Sequence, residues 1–241
     1  MTNEKKILIL ASGGGSNAEA IVKYAQKRNL PIGFIVGCDK KQEKAGVYEK
    51  MEKLGVVVHY LPAPYGDHSQ LSEFLKANKF DLIVLAGYMR ILPPEIADNY
   101  DIVNIHPSIL PFVYKGSMDA YQDALNNCDV FTGCTVHKVT SEVDAGERLG
   151  QIAFEIPVTG GIDKLKAKGL AHEHALYPEV ISSIVFGTEL NLAYVAGVAQ
   201  DNLAERGLGI TSTIVPEYRN KVFAEFDPKK FLADKYSRFE K

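Results

Sequence analysis

The sequence is poor in cysteine, has no long apolar run, and carries no excess of charge of either sign. Its three cysteines are Cys38, Cys128 and Cys134. Their number is odd, their spacing is wide, and none forms a C-x-x-C pair. This excludes a disulfide framework and a zinc ribbon and points to reduced thiols. The first apolar run, Ile7–Leu10, is too short for a signal-peptide core or a membrane span. The stretch Ile181–Ala199 is interrupted by Glu189 and Asn191 and suits a buried helix end. The expected location is therefore the cytoplasm, with no membrane partner. A net charge of −3 over 241 residues gives no global basic footprint for nucleic acid. With 46% hydrophobic residues and so low a net charge, disorder is excluded as the main state. A chain of this length buries roughly 70–75% of its unfolded surface and needs no disulfide or metal staple. There is no internal repeat and no low-complexity segment.

What the sequence does have is regular alternation. Strand-length apolar runs at Lys6–Ala11, Ile32–Cys38, Val56–Tyr60, Leu82–Ala86 and Ile102–Ile105 are separated by helical patterns at Ser16–Arg28, Glu43–Leu54, Leu71–Ala77 and Pro94–Asn99. Unbroken apolar strands imply burial on both faces, and strand–helix alternation implies a parallel sheet. The expected fold class is α/β: a doubly wound, mostly parallel, Rossmann-like sheet. The pattern changes after a helix at Asp119–Asn126. Phe131–Thr140 alternates loosely and Gly150–Pro157 is a further strand, so the second half is expected to hold an antiparallel strand or hairpin. Asp163–Val185 is helical, and Tyr177-Pro178 is expected to kink that helix or to start part of it. Two units are expected: residues 1–187, and an extension over residues 188–241. The extension's apolar start and its later aromatics, Tyr218, Phe223, Phe226, Phe231, Tyr236 and Phe239, predict packing on the first unit or on a neighbouring subunit.

In such sheets ligands bind beyond the carboxyl ends of the strands, which directs attention to the segments that follow them. Ala11-Ser12-Gly13-Gly14-Gly15-Ser16-Asn17 joins a strand to a helix and suits an anion, through free N–H groups and the positive end of the helix dipole. Three readings remain open on this loop alone. One is a dinucleotide on Gly13-x-Gly15-x-x-Ala18 with Asp39 holding a ribose; another is a phosphomonoester on Gly15-Ser16-Asn17; the last is a capped turn without ligand. The more informative segment is Asn104-Ile105-His106-Pro107-Ser108. Asn104 and His106 are two apart in a strand and share a face. A polar pair there is costly unless used, and together the two can hold an oxygen that gains negative charge. Asp144, in a Gly-containing loop, is the candidate acid to orient the imidazole; its spacing alone does not distinguish it from a turn residue. His137, which alternates with Val136, points to the core or to the site. No His/Asp set makes a defensible metal site.

Gly15-Ser16-Asn17, Leu85-Ala86-Gly87-Tyr88-Met89-Arg90-Ile91-Leu92, Asn104-Ile105-His106-Pro107-Ser108-Ile109-Leu110-Pro111, Thr135-Val136-His137 and Asp144 occur in this order. With Glu173-His174-Ala175-x-Tyr177-Pro178 they resemble the folate-dependent formyltransferases over about Lys5 to Gly187. The resemblance is nearest to the branch that acts on glycinamide ribonucleotide in purine synthesis. It implies an enzyme that moves a formyl group from the co-substrate 10-formyltetrahydrofolate to the amine of that ribonucleotide, without metal. It implies Asn104, His106 and Asp144 as catalytic residues, with Asp144 favouring the imidazolium of His106. It further implies Gly15, Ser16 and Asn17 on the substrate phosphate, Glu173 at the substrate's amine end, and Met89, Arg90, Ile91 and Leu92 along the folate. Partners are then small molecules, in a monomer or homodimer.

The sequence departs from the family pattern in two places near the site. The usual short Gly-x-His turn after Leu110-Pro111 is replaced by the longer Phe112–Asp119, and Gly-Gly-Pro after Asp144 by Ala145-Gly146-Glu147. The alternatives are a related formyltransferase or hydrolase acting on another amine or on water, and a nucleotide-binding regulator that would need the glycine loop and Asp39 but not Asn104, His106 and Asp144.

Overall fold

The computed structural model describes residues 4–208 and 213–214. Five strands, β1 (Lys5–Ala11), β2 (Ile32–Cys38), β3 (Val58–Tyr60), β4 (Leu82–Leu85) and β5 (Ile102–His106), alternate with α1 (Ser16–Lys27), α2 (Val47–Lys53), α3 (Ser69–Ala77) and α4 (Pro94–Ala97). Then follow α5 (Ala120–Asn126), β6 (Phe131–Lys138), β7 (Arg148–Glu155), α6 (Gly161–Phe186), α7 (Leu192–Glu205) and β8 (Thr213–Ile214). One eight-stranded sheet results, in the order β3-β2-β1-β4-β5-β6-β7-β8. The first five strands pair in parallel; β5–β6, β6–β7 and β7–β8 are antiparallel. This is the doubly wound, mostly parallel architecture that the apolar runs imply, with its antiparallel part in the second half.

The period of two in a strand divides the core. Ile7, Ile9 and Ala11 pack with α1, α2, α6 and α7, while Leu8 and Leu10 pack with α3 and α4 on the other face. Because β1 is central and covered on both sides, both of its faces must be apolar.

Three elements differ from expectation. The helix expected at Glu43–Leu54 is a 3-10 turn, Gln42–Lys44, followed by α2, with Ala45 extended between them. The third strand is only three residues long. Pro178 neither starts nor ends a helix, since α6 runs through it for 26 residues. Tertiary packing overrides the local cost of the missing N–H: Leu176, Tyr177, Val180 and Ile181 are all buried in the core.

Beyond Gly187, α7 packs along α6 through buried Val195, Ala199 and Leu203. Asn191 caps it, its side chain accepting from Tyr194 N at 2.9 Å, and Asn202 Nδ2 donates to Ala171 O at 3.0 Å. The aromatics of the extension from Tyr218 onward lie outside the described residues. Among the described residues no helix is long and apolar enough to cross a membrane.

Candidate active site

The strand order reverses between β1 and β4, and the loops that follow these strands are joined there. Ser12 N donates to Gly87 O at 3.1 Å, and Met89 N donates to Ser12 Oγ at 2.9 Å. Gly15 ends the first loop at φ +69°, the left-handed region, as the residue before α1. A Cβ there would also meet Val47 within 3 Å. Glycine is therefore required twice over, by backbone conformation and by contact with the start of α2. The first N–H groups of α1, as at any helix start, have no acceptor four residues earlier within the helix, and such groups suit an anion.

Asn17, expected on a phosphate, instead turns inward. Its Nδ2 donates to Glu173 Oε2 at 2.8 Å. Glu173, from α6, is 7% exposed, and its other oxygen accepts from Tyr121 of α5 at 3.1 Å. Burial raises the pKa of Glu173, opposed by these two donors. Asn17 and Glu173 thus form one buried unit.

Arg90 does not project freely into solvent. Its Nε donates to Asp39 Oδ2 at 2.6 Å, and the Asp39 carboxylate is buried. Asp39, the candidate ribose ligand of the dinucleotide reading, is already committed to this ion pair. Of the neighbouring residues expected along the folate, Met89 and Ile91 are 54% and 74% exposed, whereas Leu92 belongs to the core with Ile96 and Leu85. Two exposed apolar side chains beside a guanidinium offer a surface for a flat, partly anionic ligand; Leu92 supports it from below.

The polar pair of β5 lies across from β6, where Asn104 faces His137 and His106 faces Thr135 in the ladder. His106 Nδ1 is 3.2 Å from Asp144 Oδ2, and its Nε2 is 2.9 Å from Tyr114 O. His137 joins the cluster: its Nδ1 lies 2.8 Å from Lys138 O and its Nε2 lies 3.4 Å from Asn104 Nδ2. Asp144 Oδ1 is 3.5 Å from His137 Nε2. Asp144 has φ +52°, and Gly116 N donates to its Oδ2 at 2.9 Å. Its burial favours the neutral acid, but His137, the charge of His106 and the Gly116 N–H outweigh this, so the carboxyl titrates below its ordinary value.

For His106 the balance goes the other way from the sequence expectation. Burial pushes its pKa below the usual value, and Asp144 and the Tyr114 carbonyl only partly oppose this. The resting imidazole is held neutral, yet an acceptor waits at each nitrogen for when it takes a proton.

A buried network fixes the chain just past His106. Thr135 Oγ1 donates to Ser108 O at 2.7 Å and accepts from Leu110 N at 3.1 Å; Gln151 Nε2 donates to Leu110 O at 2.9 Å. The longer segment that follows is clasped to both sides of the site. Tyr114 OH donates to Asp129 Oδ2 at 2.5 Å, and Lys115 Nζ donates to Glu142 Oε1 at 2.5 Å. Sequence reasoning gave Tyr114, Tyr121, Thr135 and Gln151 no part in the site. Only Thr135, two before His137 in an alternating strand, carried a signal. Among the described residues no group of three or more His, Cys, Asp or Glu is arranged to hold a metal ion.

The chain is similar to known proteins over most of its length. The phosphoribosylglycinamide formyltransferase of Haemophilus influenzae is 32% identical over 204 residues, 81% of this chain and 95% of that protein. That of Escherichia coli K12 is 36% identical over 183 residues, 73% of this chain and 85% of that one. Among solved structures, glycinamide ribonucleotide transformylase 1 from Symbiobacterium toebii superimposes with a TM-score of 0.69 at 31% identity, covering 78% of this chain and 90% of that one. The phosphoribosylglycinamide formyltransferase of Brucella melitensis gives 0.68 at 34% identity, over 78% of this chain and all of that one. The formyl transferase family model matches residues 5–181, and with this span, these relatives and this fold the chain belongs to the formyl transferase family.

Proposed function

We infer that the chain transfers the formyl group of 10-formyltetrahydrofolate to the amine of glycinamide ribonucleotide, a step of purine biosynthesis. The observation that carries this reading is the cluster of Asn104, His106, His137 and Asp144 at β5, in the same sheet whose parallel strand β1 leads into the loop Gly15–Asn17. The phosphate of the ribonucleotide would rest on the N–H groups at the start of α1 and on Ser16, with Glu173 toward its amine end. The folate would lie along Met89 and Ile91, with its anionic tail near Arg90. Residues 1–187 would then hold the chemistry, and residues 188–241 would extend that unit.

The chemistry follows from the groups present. The substrate nitrogen attacks the formyl carbon, the carbonyl π electrons move to oxygen, and an N–H of Asn104 and of His106 can donate to the oxyanion. Asp144, held ionised, supports charge on His106 as the proton leaves the attacking nitrogen. Collapse of the adduct breaks the bond to N10 of the folate, which takes up a proton and leaves as tetrahydrofolate. The regulator reading is disfavoured because it gives no use to the cluster in which His106, His137 and Asp144 meet. The deciding assay follows the folate chromophore with glycinamide ribonucleotide, with a sugar amine and with water alone as acceptor. Formyl transfer confined to the ribonucleotide supports the reading; release of formate in water alone would replace it with a hydrolase.

A further inference from the structure

We propose that Tyr121 is a positioning residue for the amine-bearing substrate: its hydroxyl, seated in the gap that Gly169 leaves in α6, fixes the carboxylate of Glu173. This rests on the functional reading above. Glycine is a poor residue for a helix interior, yet Gly169 stands inside α6. A Cβ at this position would clash with Tyr121 Oη, Cζ and Cε2. Any larger residue would push the phenol off Glu173.

The three helices α1, α5 and α6 thus meet at one carboxylate, with one donor on each oxygen: Asn17 on Oε2 and Tyr121 on Oε1. The Oδ1 atom of Asn17 is buried there with no hydrogen-bond partner. An unpartnered buried acceptor beside a held carboxylate calls for a ligand rich in N–H or O–H donors, such as an amine or a sugar hydroxyl. Tyr121 lies in the first turn of α5, capped by Asp119 and directly after the segment 112–118 that touches His106. The placement of α5 therefore couples the carboxylate to the catalytic cluster.

Both donors favour the ionised carboxylate against its burial. The titratable groups facing Glu173 are Tyr121 from α5, Cys134 from β6, Tyr177 from α6 itself and Arg206 after α7. Burial pushes the first three well above their ordinary values, so none of these three titrates in an acidic assay.

The test is Tyr121→Phe in the full chain, with steady-state kinetics across pH and calorimetric binding of glycinamide ribonucleotide. Loss of one hydrogen bond should weaken binding of the ribonucleotide, and raise its KM, about fivefold to tenfold. We expect kcat within about twofold and the KM for the formyl donor unchanged. The acid limb of kcat/KM for the ribonucleotide should move to higher pH, which a merely structural loss would not do. Replacing Tyr121 alone by 3-fluorotyrosine keeps ring and hydroxyl and strengthens donation, so that limb should move to lower pH. An unaltered affinity and unaltered limb in Tyr121→Phe, or an unmoved limb with 3-fluorotyrosine, overturns the proposal. If the unmodified chain bound the ribonucleotide but transferred no formyl group, the functional reading would fall, and calorimetry alone would still decide the role of Tyr121. Failure of the unmodified chain to bind it would overturn both.

Discussion

His106 lies between two oxygen acceptors, one a carboxylate and one a carbonyl, in a site that otherwise favours its neutral form. If its N–H stabilises the oxyanion, His106→Ala should lower kcat by roughly 10²–10³ with a much smaller change in substrate affinity, and Asn104→Ala should fall in a similar range. Near-normal turnover in either folded variant would remove that residue from the mechanism. Asp144→Asn keeps the shape and removes the charge that opposes the effect of burial on His106. The pKa of His106 should then drop further, and the acid fall of the rate, where the neutral imidazole that takes the proton is lost, should move to lower pH together with a lower maximum. A uniform drop over an unchanged profile would instead give Asp144 a positioning role. This cluster was legible in the sequence because a polar pair two apart in an apolar strand needs a use. Tyr121 was not, because one tyrosine at the start of a short helix looks like any core aromatic; its partner lies 52 residues away. The inward turn of Asn17 was hidden for the same reason, being fixed by a contact 156 residues distant.

At the scale of elements, the five apolar runs and the changed pattern after Asn126 were enough to give the order of strands and helices. Glu43–Leu54 misled because charged helical spacing does not reveal an extended residue such as Ala45. Pro178 misled because its local cost is overruled by the burial of its neighbours in α6. The segment Phe112–Met118 was visible only as a departure in length. In the fold it sets a main-chain carbonyl on His106 Nε2, the atom whose N–H a formyl oxygen would need in the proposed transfer. Substrate would then have to displace Tyr114 O. Tyr114→Phe removes the bond to Asp129 that anchors this segment, and one such bond is worth about 1 kcal/mol. The apparent KM for the formyl donor should fall by up to about fivefold. A KM that rises instead would show that the anchored segment helps to hold the donor rather than to exclude it.

For the whole molecule, several histidines are held neutral by burial. His172 is fully buried against Phe154, with ring centroids 4.2 Å apart, and its pKa is lowered to about 4. His106 and His174 shift in the same direction. An unfolded histidine takes its proton near pH 6.5, so stability is complete above that pH and is lost as the pH falls from about 6.5 to about 4. His172 alone should contribute about 1.4 kcal/mol per pH unit in this window. The urea midpoint should fall between pH 7 and 5, and less steeply in His172→Gln; equal slopes would mean that His172 titrates freely. The carboxylates with lowered pKa, Asp144 among them, act only at lower pH, whereas Glu173, raised by burial, opposes the histidines within the window. The same packing sets the width of the cleft. Tyr177 OH lies 3.0 Å from both Leu85 O and Val103 O, where β4 and β5 give way to the loops bearing Met89–Leu92 and to Asn104. One hydroxyl has a single proton to share between two carbonyls. It therefore spaces the two strand ends as a wedge does, and the gap in which donor and acceptor would meet is gauged by one phenol on the helix behind the sheet.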